Sequence, residues 1–299
     1  MIKLLSLSLA MFAVAFAGKL SAQELPGTDI WVARISNGVP AEPVKINTGG
    51  GYNNQPHFSE DGSVIYYTRE MPGGETVQTD IAAFNIKTSI TTMVNNTSES
   101  EYSPTPISGR NALSVIQVEA DQKQRLWAID VASSKMDLLL VDVEPVGYHA
   151  WINDSEVAMF ILGDSFTLQT ARLDAKGSKL IADNIGRSIR KHPQTGEILF
   201  VDKNREPWQI AAFDSKTTQV RGVMPLFPAS EDFTIDASGN YWSGNGSKLY
   251  KRSPDDSRWE LMADFRTFGI NHISRLAINL KSKQIALVSD HVIRAQTAH

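Results

Sequence analysis

A unit of about 40 to 49 residues recurs along this 299-residue chain, and nothing else in the sequence limits its fold as tightly. One copy reads Gln55-Pro56-His57-Phe58-Ser59-Glu60-Asp61-Gly62 and continues through Ser63-Val64-Ile65-Tyr66-Tyr67-Thr68. That is a short strand, an Asp-Gly turn, and a strand of β-branched and aromatic residues. Turns at 109–111, 153–155, 194–196, 237–239 and 281–283 lead into five more predicted strands, at 112–118, 156–162, 197–201, 240–243 and 284–288. Aligning the strands before these turns puts Pro56, Pro104, His149, Ile189, Phe233 and Leu276 in one register, spaced 48, 45, 40, 44 and 43 residues apart.

Residues 157–162, Val-Ala-Met-Phe-Ile-Leu, are apolar at every position. A strand with two apolar faces needs a sheet packed on each side. A third strand recurs at 81–85, 126–130, 170–174, 210–214 and 249–253, and one copy of it, 30–36, precedes every inner strand. The ends of the chain therefore complete each other. Outer strands at 30–35 and 43–47 are predicted to pair with inner strands at 275–279 and 284–288, closing a ring without exposed edges. The expected architecture is all-β: one six-bladed β-propeller domain over residues 23–299, with four-stranded antiparallel blades. An open β-sandwich has no strict four-strand period.

The first residues follow another pattern. Lys3 precedes an apolar run over residues 4–17, closed by Gly18 and Lys19 and followed by Ser21 and Ala22. This reads as a removable signal peptide, residues 1–22, with cleavage near Ala22 or at the Ala15/Ala17 pair. At fourteen positions, twelve of them apolar, this run falls short of the roughly 18 to 20 a spanning helix needs, and no membrane span is expected in the mature chain. The expected location is the periplasm or the exterior of the cell. The chain has no cysteine, which removes disulfides, thiolate catalysis, cysteine zinc sites and a thioether lipid anchor together. A net charge of −4 argues against nucleic acid or an anionic membrane surface as a partner.

The segments Asn54-Gln55-Pro56-His57-Phe58-Ser59-Glu60-Asp61-Gly62 and Ser100-Glu101-Tyr102-Ser103-Pro104 resemble the WD40-like propeller repeats of TolB and its relatives. Gln124-Arg125-Leu126-Trp127, Val146-Gly147-Tyr148-His149-Ala150-Trp151, Ile185-Gly186-Arg187-Ser188 and Ser230-Glu231-Asp232-Phe233 are similar to exported TolB-like propellers made of a leader and a propeller only. The resemblance implies a six-bladed, exported, non-catalytic binding or scaffold module for a protein, peptide or cell-envelope glycan. TolB itself carries an additional domain before its propeller, for which the residues ahead of Ile30 are too few.

In a propeller the innermost strands line a central channel, and the residues opening each one sit at its rim. Those positions hold Asn54 and Gln55, Glu101 and Tyr102, Tyr148 and His149, Arg187 and Ser188, Glu231 and Asp232, and Ser274 and Arg275. They form the candidate ligand-binding set, a funnel of mixed charge suited to a polar or zwitterionic ligand. Each charged member also has a structural reading, in which Arg187 or Arg275 pairs with Glu101 or Glu231 and staples blades. His57 and His149 are read as hydrogen-bonded channel residues, since no His-Glu-x-x-His run accompanies them. No cofactor or metal is expected. The alternative is a channel-face hydrolase or lactonase-like enzyme, with Glu101 and Glu231 or Asp232 as paired carboxylates. Six-bladed lactonases hold a central calcium with acidic and amide residues, a part that Asn54, Glu101 and Asp232 can play by analogy. There is no Gly-x-Ser-x-Gly elbow and no phosphate loop. Trp31, Trp208 and Trp259 are expected to fill gaps between blades.

Overall fold

The computed structural model describes residues 25–73, 77–279, 281 and 283–291. The predicted leader, 1–22, lies outside them. Within them the chain forms six antiparallel sheets and a single 3-10 turn, Arg266–Phe268. Five sheets are four-stranded meanders built in chain order from the innermost strand outwards. Their inner strands are Asn53–Phe58, Ser100–Pro106, Val146–Asn153, Ile185–Lys191 and Phe233–Ile235, which define blades one to five.

Blade six is shared between the chain ends. Its inner pair, Ile273–Asn279 and Gln284–Asp290, comes last in the sequence, and Thr28–Ser36 adds to it in register from Thr28 opposite Asp290 to Arg34 opposite Gln284. Val44–Lys45 then pairs outside Thr28–Ser36. The closure predicted from the misplaced first copy of the third strand is the one observed. The fifth blade has the shortest inner strand, three residues, matching the weak strand signal of its Ser- and Gly-rich second strand, Tyr241–Asn245.

Each of the six seams between blades holds its own apolar cluster. Ile30, Ala286 and Val288 of blade six meet Phe58, Ile65 and Tyr67 of blade one, and Tyr66 and Ile81 of blade one meet Leu113, Val115 and Ile129 of blade two. The others follow the same rule around the ring. This explains second strands such as Glu156–Ile161, where five of six residues are buried: alternate side chains serve the two seams on either side. Each fully buried Val, Leu or Ile contributes roughly 1.5–3 kcal/mol. Trp31 packs in the seam between blades five and six, and Trp208 and Trp259 in that between four and five, as expected.

Gly62 shows how turns are locked between blades. It closes the Asp-Gly turn with φ +77°, and a Cβ there would lie 1.9 Å from Asn279 Nδ2. That amide donates to the Gly62 carbonyl at 3.0 Å, tying the turn of blade one to blade six. Only glycine allows both the conformation and the approach.

Candidate functional site

Inner strands start at one end of the ring, and their first residues surround the mouth of the channel. Tyr52, just before the first inner strand, lies edge-on to Tyr102 with ring centroids 6.5 Å apart. From the opposite side of the ring, Arg275 of blade six reaches Tyr148 of blade three. It donates from Nη2 to the phenol oxygen at 2.6 Å and sits 4.8 Å from the ring centroid. Tyr148 is braced edge-on by Phe160, 5.5 Å away. Arg275 and Tyr148 thus form a strut across the mouth.

Two more arginines span from blade four to blade six, passing over blade five. Arg187 donates to the Ser274 carbonyl at 2.9 Å, and Arg190 to the Leu276 carbonyl at 3.0 Å. Between them blade five supplies Glu231 and Asp232. Glu231 accepts from Lys203 Nζ at 2.5 Å and from the Arg187 backbone N–H at 3.4 Å. Burial pushes its carboxyl up, but Arg187 and Lys203 outweigh that and hold it below the usual carboxylate range. Asp232 is 3% exposed; its Oδ1 accepts from the Leu276 N–H at 3.3 Å and from Arg190 at 3.5 Å, while its buried Oδ2 meets no donor. Beside this group Asp290 accepts from Ser274 Oγ and pairs with His272 at 2.8 Å, which raises the imidazole above its usual value.

Deeper in the channel, His57 lines the wall: its ring is open to the channel yet surrounded by protein on all sides, and this enclosure is the burial it feels. Burial, with Arg190 adding to it, lowers it to about 4 and keeps it neutral. His149 is directed instead to the seam with blade two, where its Nε2 meets Ser114 Oγ at 2.6 Å; burial lowers it to about 3.

The structure divides the predicted set in two. Tyr102, Tyr148, Arg187, Glu231, Asp232 and Arg275 come together at the mouth. Asn54, Gln55, Glu101, His149 and Ser188 serve as ties in the walls. Asn54 accepts from the Gln55 N–H. Gln55 Oε1 accepts from Thr68 Oγ1 and from the Ser103 N–H, joining blades one and two. Ser188 Oγ donates to the Phe233 carbonyl, joining blades four and five. Glu101 is fully buried and accepts from Asn95, Thr97 and Gln117 at 2.5 to 2.9 Å. Neither arginine side chain forms an ion pair with Glu101 or with Glu231, contrary to the staples expected from sequence: Glu101 is taken by Asn95, Thr97 and Gln117, and Glu231 by Lys203, with Arg187 giving it only a backbone N–H. With no exposed surface, Glu101 is out of reach of any substrate in the channel.

Tyr52, Arg190, Lys203, His272 and Asp290 belong to the site and were not found from sequence. Tyr52 and His272 each lie one residue ahead of an inner strand, and Arg190 sits near the far end of one beside the apolar Ile189, so none of the three is at a rim position of the repeat. Among the described residues no three His, Asp or Glu side chains gather as a metal site. No helix among them is long and apolar enough to cross a membrane.

No protein-family model matches the chain, and no curated protein matches its sequence. Solved structures do. A putative TolB from Agrobacterium tumefaciens aligns with a TM-score of 0.66 over 90% of this chain and 100% of its own, at 11% identity. A chain of a nidogen/laminin complex aligns with a TM-score of 0.61 over 85% and 99%, at 9% identity. An oligogalacturonate lyase from Vibrio parahaemolyticus aligns with a TM-score of 0.57 over 83% and 80%, at 13% identity. At these identities the likeness is one of fold, and in fold this chain is a TolB-like six-bladed β-propeller.

Proposed function

We propose that the protein is an exported, non-catalytic binding module that takes a protein, peptide or glycan of the cell envelope at the mouth of its channel. The observation that carries this reading is the strut between Arg275 and Tyr148: polar and aromatic side chains from opposite blades meet at the mouth, where a ligand touches most of the ring at once. A propeller holds such groups on rigid strands, so a binding surface is preorganised. The fold neighbours support the reading, since one comes from a protein–protein complex and others are TolB structures. Export rests on the predicted leader.

Two oligogalacturonate lyase structures among the fold neighbours, one of them described as a complex with manganese, support a channel-face enzyme as the second reading. The test is a thermal-shift screen of the purified protein with peptidoglycan fragments, envelope glycans, peptides, calcium, zinc and manganese. A ligand that binds only the folded state raises Tm by mass action. The expected result is a rise with an envelope fragment that is lost in Tyr102→Ala and kept in Glu60→Ala, which alters the opposite end of the ring. A rise with a metal ion alone, together with turnover of a glycan or lactone, overturns the non-catalytic reading.

A further inference from the structure

We propose that the mouth is a carboxylate-binding site, in which a ligand carboxylate takes Arg275 from the Tyr148 phenol and is clamped between Arg275 and Arg187. This rests on the reading of the mouth as the ligand site and names the chemistry of its ligand.

Three guanidinium groups enter the site from blades four and six. Of these three, only Arg190 has a carboxylate of the described residues within ion-pair distance, Asp232 at 3.5 Å. Glu231 is engaged by Lys203, and Asp290 by His272 and Ser274. Arg187 and Arg275 are left with neutral acceptors, a backbone carbonyl and a phenol oxygen. Arg187 Nε is buried and has no acceptor at all. A guanidinium carries five N–H donors in a fixed fork. Glu231 and Asp290 act on Arg187, and Asp232 on Arg275, only through space, so the forks of both cations keep unused donors that an anion takes up.

A carboxylate fits that demand better than other groups. It accepts two parallel N–H bonds from one guanidinium, and a charge-assisted bond is about twice as strong as a neutral one, so it displaces the phenol from Arg275. The Tyr148 ring stays packed on Phe160 when its hydroxyl gives up Arg275. Tyr102, half-buried and braced edge-on by the buried Tyr52, provides a face for the sugar ring or peptide that bears the acid. A cationic ligand meets like charge, and a neutral one leaves the guanidiniums as they are.

Titration calorimetry on the purified protein tests this with two acids, trigalacturonate and a tripeptide with a free C-terminus, each beside its neutral counterpart, the methyl ester and the C-terminal amide. The expected result is that one acid binds at least tenfold more tightly than its counterpart, which also says whether the carboxylate belongs to a uronate or to a chain end. Arg275→Gln and Arg187→Gln then each weaken binding tenfold or more. Arg275→Lys, which keeps the charge without the fork, weakens it less, and Tyr148→Phe leaves it unchanged or tighter. Equal binding of acid and counterpart, or a Tyr148→Phe loss as large as that of Arg275→Gln, overturns the carboxylate site while leaving the mouth as a binding surface. No binding of either acid overturns it too. Binding that survives Arg187→Gln, Arg275→Gln and Tyr102→Ala alike contradicts the mouth as the site altogether.

Discussion

Glu101 was a candidate for acid–base chemistry and is instead a buried link in the seam between blades one and two. Burial is the main reason its carboxyl is raised to about 7, and Asp80, bound to the same Asn95 amide, adds to it against the pull of Thr97, Gln117 and Asn95. Because the folded value lies above the ordinary 4.5, the stability this group contributes is complete below about 4.5 and is lost as pH rises through 7. The loss is on the order of 3 kcal/mol at about 1.4 kcal/mol per pH unit. His57 and His149 act with the opposite sign: both are lowered, so their contribution is present above 6.5 and is lost as pH falls. Urea unfolding at pH 5 and pH 8 separates the two effects. The wild type loses stability relative to Glu101→Gln on going from pH 5 to pH 8, whatever the absolute stability of the variant. Parallel pH profiles for the two proteins contradict the assignment.

At the level of the strand, the inner edge of each blade was legible as a strand but not as a set of side-chain directions. Five inner strands carry a register irregularity, for instance between Asn54 and His57 and between Tyr102 and Thr105. One extra residue turns the following side chains to the other face, so equal positions in an alignment do not share an environment. Gln55 and Ser103 sit at these irregularities with φ of 56° and 57°. Their positive φ lets Gln55 Oε1 receive Thr68 Oγ1 and the Ser103 N–H. Nothing in the residue types announces such a bulge, so the repeat register alone places Asn54, Gln55 and Glu101 at the rim, while the structure turns them into the walls. Tyr148 and Arg275 follow from the same positional rule, and for them it holds: both open an inner strand and reach across the mouth. Gln55→Ala removes the shared acceptor and weakens the joint between blades one and two. A loss of about 1–3 kcal/mol is expected in chemical denaturation, and an unchanged midpoint rules the tie out.

For the whole molecule the decisive sequence feature was the repeat, with its third strand appearing before any first strand. That offset is the covalent record of ring closure: Thr28–Ser36 can be satisfied only by Gln284–Asp290, the last strand of the described chain. Closure buries Ile30 and Val288 in the sixth seam and covers the edge of Gln284–Asp290 that otherwise lies open. Arg34 and Gln284 are partners in register, at the roughly 4.5–5.5 Å Cα separation of antiparallel pairs, within disulfide reach. In a chain otherwise free of cysteine, Arg34→Cys with Gln284→Cys should oxidise to one intramolecular disulfide. By closing a very long loop it should stabilise the ring by on the order of 4 kcal/mol. Free thiols after mild oxidation contradict the closure.

The ring matters for function because it gathers distant parts of the chain at one mouth, and this too is directly testable in a cysteine-free protein. Asn271→Cys places a thiol beside His272 at the mouth, and Ser108→Cys places one at a turn on the opposite end, both on exposed positions. Each is labelled with a bulky maleimide, and the affinity for the envelope fragment found by thermal shift is measured against the unlabelled variant. The account predicts at least a tenfold loss for the label at 271 and none for the label at 108. Undiminished binding with the mouth blocked, or a loss confined to the label at 108, contradicts it.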